Sequence, residues 1–157
     1  MKKIIRFTWA NALAVVALCS VLFSFSTIIG AHNVQVFLDD KMVIDHYVDS
    51  RSIAPTLNLD PAENYNQLIV KYSECGRTVT GRTITVKDDK DQVLKDWHFE
   101  GSTSGFKDPM TVSVKEISTL KPKGSNTLKL YYSSREFPEG LQVAKLVIGG
   151  EAKTALK

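Results

Sequence analysis

Apolar and polar residues alternate along short segments of the chain from residue 34 onward. In the first segment, Val34, Val36 and Leu38 alternate with Gln35 and Phe37. This period of two is typical of strands with one buried face, because successive strand side chains point to opposite sides of a sheet. We predict eight or nine short strands, drawn from residues 34–38, 42–48, 56–59, 68–72, 82–87, 92–99, 110–115, 127–132 and 141–148.

Clusters of turn-forming residues separate these segments. Asp39, Asp40 and Lys41 predict a β-hairpin between the first two strands, and residues 88–91 predict a second one. No segment after residue 31 has the periodicity of an amphipathic helix. The pattern predicts an all-β domain, an antiparallel two-sheet β-sandwich that is immunoglobulin-like or jelly-roll-like.

A hydrophobic segment with a basic head precedes this domain. Lys2, Lys3 and Arg6 are followed by an apolar run over residues 12–29, and no acidic residue occurs before Asp39. This order predicts a signal or anchor helix for export. We expect cleavage after Ala31, which divides the chain into residues 1–31 (signal peptide or N-terminal membrane anchor), 32–149 (β-sandwich) and 150–157 (flexible tail).

The length of the apolar run leaves a retained anchor as the alternative. A signal core normally has about 7–15 apolar residues, whereas crossing a bilayer core of about 30 Å takes about 20. Residues 12–29 lie between these lengths, so residues 4–29 are also suited to anchoring in an inner membrane. Either way, the domain is expected to be exported, periplasmic or extracellular. A lipoprotein anchor at Cys19 is disfavoured, because Leu18 is too large for the site before the cysteine.

Charge and cysteine content exclude several classes of function. Lys2, Lys3 and Arg6 account for three of the 20 basic residues and none of the 17 acidic ones, so the chain from His32 is formally neutral. A neutral domain has no concentrated basic surface for nucleic acid, and the membrane is involved only through an uncleaved N-terminal segment. Cys75 is the one cysteine after residue 31, so this part of the chain has no internal disulfide, and the thiol is either buried or reactive.

Motifs for catalysis, metal binding and cofactors are missing from the sequence. There is no Gly-x-Ser-x-Gly elbow, and His46 and His98 lack the close ligand spacing of zinc sites. The Asp88–Asp91 cluster has the oxygen ligands that calcium prefers, but it lacks the glycine and the closing glutamate of a calcium loop. Turn formation accounts for it, because Asp binds its own backbone in turns. We therefore expect a protein without cofactor or resident metal that is not an enzyme.

Three aromatic residues are the candidates for ligand binding. Alternation places Trp97 on one strand face with Val93 and Phe99, and Trp97 is either a plug in the core or a stacking platform for a sugar ring or a peptide. Tyr131 and Tyr132 are adjacent in a strand, so one of them is expected to face solvent. These residues favour an exported binding module of the cell envelope, with an envelope protein or a glycan as partner. The alternatives are a membrane-anchored structural or assembly component of an envelope complex, and a glycan-active enzyme that uses paired carboxylates.

Overall fold

Strands make up most of the described chain. The computed structural model describes residues 32–48, 52–74, 78–102, 108–122 and 124–149. Its elements there are β1 (His32–Leu38), β2 (Lys41–Val48), β3 (Thr56–Leu59), β4 (Gln67–Glu74), β5 (Arg82–Lys87), β6 (Val93–Phe99), β7 (Met110–Ser113), α1 (Val114–Thr119), β8 (Thr127–Ser133) and β9 (Leu141–Ile148). The predictions of an export segment over residues 1–31, of a buried or reactive Cys75 and of a tail over residues 150–157 lie outside the described residues.

The strands form two sheets. One has four strands in the order β2-β1-β4-β7, and all its pairings are antiparallel. The other has five strands in the order β3-β9-β8-β5-β6, and its pairings are antiparallel except for β3 with β9, which is parallel. The all-β class is confirmed, whereas a purely antiparallel arrangement is wrong for this one pair. Alternation of apolar and polar residues within a strand does not show whether that strand pairs in a parallel or an antiparallel direction with a strand distant in sequence.

Both predicted hairpins are confirmed, as β1–β2 and β5–β6. In the first, Asp39 has a φ of 51°, a left-handed conformation that Asp tolerates better than most residues. The Asp39 carboxylate also accepts hydrogen bonds from the backbone N–H groups of Asn66 at 3.2 Å and Gln67 at 2.9 Å. The turn residue therefore fixes the start of β4 beside β1 as well as the hairpin itself.

The inward-facing residues of both sheets meet in one hydrophobic cluster. Within it, the rings of Tyr72 on β4 and Tyr132 on β8 stack with their centroids 3.8 Å apart. The ring of His32 also stacks with that of Tyr72, at 5.7 Å between centroids, and a hydrogen bond of 2.6 Å joins His32 Nδ1 to Tyr72 Oη. Because strands of both sheets contribute to this cluster, the arrangement is consistent with a β-sandwich.

A short helix replaces the end of one predicted strand. Alternation predicts a strand over residues 110–115, but β7 ends at Ser113 and α1 follows at once. The Ser113 hydroxyl accepts a hydrogen bond from the backbone N–H of Glu116 at 3.4 Å, and Ile117 is fully buried. The sequence signal is a serine followed three residues later by glutamate, a helix-start pattern. In the described part of the chain, no helix has the length and apolar character needed to cross a membrane.

One buried cation stabilises the connection that follows β6. Arg82 at the start of β5 is only 5% exposed. Its Nε donates to the carbonyl of Glu100 and its Nη1 to the carbonyl of Asp108, both at 2.6 Å. The guanidinium thus joins the two ends of the segment between β6 and β7. Sequence patterning gave no indication of this, because an arginine at an inward position departs from the usual burial preference.

The adjacent tyrosines of β8 provide a test of the two faces of the five-stranded sheet. Tyr132→Ala removes a fully buried ring, so we expect the free energy of unfolding to fall by about 3–5 kcal/mol. Tyr131→Ala is the matched control; its ring lies on the solvent side, and a loss below about 1 kcal/mol is expected. Urea denaturation of both variants measures the difference. Equal destabilisation would contradict the assignment of faces.

Candidate functional site

The solvent side of the five-stranded sheet carries a continuous set of polar and aromatic side chains. Leu128, Leu130 and Tyr132 of β8 are buried in the core, so the intervening residues of that strand face the other way. Cross-strand register extends this side to the neighbouring strands. We call it the outer face, and its residues include Thr83, Thr85, Lys87, Val93, Asp96, His98, Lys129, Tyr131, Gln142 and Lys145.

Three lysines stand directly opposite one another on the outer face. Lys129 on β8 is in register with Lys87 on β5 and with Lys145 on β9. Neighbouring strands lie about 4.8 Å apart, so the row spans about 10 Å. We refer to these three residues as the lysine row. Like charges placed opposite each other destabilise a sheet, so nearby groups must offset the repulsion.

The turn between β5 and β6 supplies one compensating carboxylate. Asp91 Oδ1 accepts a hydrogen bond from Lys129 Nζ at 2.7 Å. This bond lowers the pKa of the Asp91 carboxyl and raises the pKa of the Lys129 ammonium. Asp91 is able to reach the lysine because its backbone is left-handed, with a φ of 62°.

In the same turn, which has the oxygen ligands that calcium prefers, protein contacts occupy the carboxylates of Asp88 and Asp91. Asp88 is 7% exposed, and its Oδ1 accepts from the backbone N–H groups of Lys90 at 2.9 Å and Gln92 at 2.8 Å. Asp91 is paired with Lys129. Among the described residues, no three His, Cys, Asp or Glu side chains converge as metal ligands. The turn-forming interpretation of the Asp cluster accounts for these contacts.

Tyr131 lies beside the lysine row with its ring partly exposed. The Lys87 ammonium sits 4.3 Å from the centroid of this ring, within the range of a cation–π contact. In the next cross-strand positions, the Thr85 hydroxyl donates to Asp96 Oδ1 at 2.6 Å, and a 3.0 Å hydrogen bond joins Thr83 Oγ1 to His98 Nδ1. These pairs tie edge strand β6 to β5 and keep this part of the face polar.

The other two predicted aromatic residues do not lie on the outer face. Tyr132 is fully buried, so a ligand cannot contact it without opening the core. Trp97 is in register with buried Ile84 and packs against the core, and its Nε1 donates to Glu116 Oε2 of α1 at 3.2 Å. A role for Trp97 in binding stays a prediction. Of the three predicted aromatic residues, Tyr131 is therefore the one that lies on the outer face.

A bulge changes the predicted face of Val93. Uninterrupted alternation places Val93 on the same side as Trp97, and that prediction is wrong. The β5–β6 register shifts between Val86 and Lys87, so Val93 pairs with Lys87 and is 56% exposed. One extra residue in a strand reverses the side on which all earlier residues lie. The lysine row consequently ends at an exposed apolar side chain on the edge strand.

A shallow groove of about 340 Å³ lies at another place, between the segment that follows β3 and α1. Its walls combine Asp60, Glu63 and Asn64 with Lys115 and Ser118. Two of its carboxylates already accept hydrogen bonds within the chain: Asp60 from the N–H of Ala62, and Glu63 from the hydroxyl of Tyr65.

Comparisons with known proteins add no functional assignment. A scan against protein-family models gives no match, and a search of curated proteins finds no similar sequence.

The Asp91–Lys129 pair predicts a specific pH dependence. Because its pKa is lowered, the Asp91 carboxylate stabilises the fold above its ordinary pKa, and this contribution is lost as pH falls through the lowered value. Lys129→Met is expected to return the pKa of Asp91 toward its ordinary value, as measured by carbon NMR titration of the side-chain carboxyl. Lys145→Met is the control, because it removes a lysine that is in register with Lys129 and leaves the ion pair between Lys129 and Asp91 in place. An equal rise in both variants contradicts the assignment.

Proposed function

We propose that this chain is an exported, non-enzymatic binding module of the cell envelope, and that the outer face is its binding surface. The observation that carries the proposal is the lysine row beside the partly exposed ring of Tyr131. Surface positions on a stable sheet do not need three facing cations, and such a row costs stability. Residues that lower stability without a compensating structural contact are expected at functional sites.

The strand order supports an immunoglobulin-like sandwich as the finer description of the fold. In that fold one sheet contains strands A, B and E as neighbours, and the other contains G, F and C. The orders β1-β4-β7 and β9-β8-β5 have the same sequence relationships, with β6 in the place of the additional strand C′. This favours the immunoglobulin-like alternative over the jelly roll, which requires two interleaved Greek keys of eight strands.

The contact between Tyr72 and Tyr132 fits the same proposal. Antibody domains link strands B and F between the sheets with a disulfide. Here the corresponding strands, β4 and β8, carry Tyr72 and Tyr132, whose rings stack at 3.8 Å. An aromatic pair thus occupies the position of a covalent link, and aromatic stacking adds about 0.5–1.5 kcal/mol beyond the burial of the rings.

Export is supported by the N-terminal sequence. Three basic residues precede an apolar run over residues 12–29, the order found in signal peptides. A domain that is released or held outside the cytoplasm meets envelope proteins and glycans first. A broad, mostly flat face with hydrogen-bonding side chains is suited to such partners, whereas catalysis on small molecules favours an enclosed cavity.

A second function, a membrane-anchored assembly component, is favoured by the free edge of the four-stranded sheet. β2 is eight residues long and lies at this edge. Two of its large side chains are well exposed: Met42 at 51% and Tyr47 at 69%. An edge strand of this length offers backbone groups for pairing with another subunit.

Site-specific photo-crosslinking separates these two functions. Tyr131→p-benzoylphenylalanine places the probe on the outer face, and Tyr47→p-benzoylphenylalanine places the same probe on β2. In intact cells we expect an adduct from position 131, with a yield that falls when Lys129→Glu is added. An adduct from position 47 alone supports the assembly component and counts against the outer face.

The intact mass and the cell fraction of the expressed protein test export. We expect a chain that begins at His32 in the soluble exported fraction, because the residues before it resemble a signal peptide. A membrane-bound species that retains Lys2 and Lys3 indicates the anchored alternative. A full-length species in the cytoplasm rules out both.

A further inference from the structure

β6 lies at one edge of the five-stranded sheet, and among the described residues only β5 pairs with it. None of the seven residues of β6 is buried, whereas β5 beside it alternates between buried and half-buried residues. The backbone groups on the free side of an edge strand are available for hydrogen bonds to another extended strand. β6 is therefore a place where a further strand can join the sheet.

The regular part of β6 is complementary to itself. The bulge leaves Leu94 without a partner on β5, so the strand is regular over residues 95–99. When two copies of this segment pair antiparallel about a two-fold axis at Trp97, all of its residues overlap. Asp96 of each copy then faces His98 of the other, and Lys95 faces Phe99.

The other symmetric registers of the same segment are less favourable. An axis at Asp96 places two carboxylates opposite each other, and an axis at Lys95 does the same with two ammonium groups. An axis at His98 places Asp96 opposite Glu100, and an axis at Phe99 leaves Lys95 and Asp96 without a partner. Because like charges directly opposite each other destabilise a sheet, the first register is the favoured one.

The two side chains that face each other in this register have atoms available for a mutual hydrogen bond. Asp96 Oδ1 accepts from the Thr85 hydroxyl at 2.6 Å, and a 3.0 Å hydrogen bond joins His98 Nδ1 to Thr83 Oγ1. Asp96 Oδ2 and His98 Nε2 have no partner among the described residues, and both side chains are exposed. When Nδ1 accepts from Thr83, the imidazole hydrogen is on Nε2. The Cβ atoms of directly opposite residues lie about 5 Å apart, so this Nε2 is within reach of Asp96 Oδ2 in the second copy.

The inward side chains of β6 are compatible with the same pairing. Trp97 and Phe99 are half-buried against the core, and pairing covers part of their exposed surface. A charge at an inward position of an edge strand usually prevents pairing. Here the charge of Lys95 is already paired with Glu116 of α1 at 3.2 Å, so it does not oppose the approach of a second Phe99 ring.

The free edge of the four-stranded sheet is less complementary to itself. β2 has its own bulge at Val43, so its regular part is residues 44–48. An axis at His46 brings two imidazoles opposite each other and places Asp45 opposite Tyr47, without any pair of opposite charges. The remaining edge strands, β3 and β7, have only four residues each. Charge complementarity therefore favours β6.

We propose that two copies of this chain form a symmetric dimer by antiparallel pairing of β6 with β6, with the two-fold axis at Trp97. The two five-stranded sheets then become continuous, and both outer faces lie on the same side of the combined sheet. Two copies of the proposed binding surface are thus presented together, which raises the avidity for a repetitive partner. The dimer itself does not depend on what this surface binds.

Sedimentation equilibrium tests the dimer, with the chain purified in the form to which the expressing cells process it. Over a series of concentrations, we expect the mass to rise from one chain to two. Asp96→Arg removes the carboxylate and places a cation opposite His98, so we expect the dissociation constant to rise about tenfold. Asp45→Arg is the matched control, since it makes the same change at an exposed position of β2, and we expect it to leave the dissociation constant unchanged.

An exchange of charges separates a lost contact from a folding defect. His98→Asp alone places two carboxylates opposite each other and is also expected to weaken the dimer about tenfold. The double variant Asp96→Arg/His98→Asp has opposite charges facing each other again, and we expect it to regain most of the original affinity. Two independent folding defects do not compensate in this way.

A chain that remains monomeric at every concentration overturns the proposal. So does a dimer that Asp96→Arg leaves intact, or a double variant that dimerises no better than the single ones. Equal losses in Asp45→Arg and Asp96→Arg also overturn it, and a loss in Asp45→Arg alone assigns the dimer to β2 instead.

Discussion

The stacked contact between Tyr72 and Tyr132 holds the two sheets in a fixed relation. It joins the interior strands β4 and β8, and both rings are buried in the hydrophobic cluster. The side chains around it are mostly aliphatic, and none of the described residues forms a disulfide to share this role. Burial of large aromatic surfaces therefore gives this domain stability that small exported domains often obtain from covalent links.

The position of Tyr132 also determines what the other side of the sheet presents. Because β8 alternates, burying Tyr132 directs Tyr131 and Lys129 to solvent. The register of β5 and β9 then brings Lys87 and Lys145 beside Lys129. A shift of one residue in either pairing separates the lysines and places charge in the core. The packing of the core and the composition of the outer face are thus two results of the same register.

Sequence alternation predicted the strands and both hairpins because these features depend on neighbours in the chain. It did not predict α1, although Ser113 and Glu116 form a helix-start pattern. The alternation of apolar residues in β7 continues into the first residue of α1, so that the start of the helix resembles more strand. It misplaced Val93, because a bulge depends on the partner strand. The lysine row was beyond reach, since its members are far apart in sequence and meet only through register. Of the predicted site residues, Tyr131 alone lies on the outer face.

The parallel pairing of β3 with β9 affects how the domain folds. Leu57 pairs with Leu146, so the third and the last of the nine described strands must meet to complete the five-stranded sheet. Contacts of such long sequence separation form late, because closing a long loop costs conformational entropy before the stabilising contacts have formed. Because the chain is synthesised from its N-terminus, β3 lacks its partner until the last strand has been made. Folding of this sheet therefore finishes only after its last strand, β9, has been synthesised.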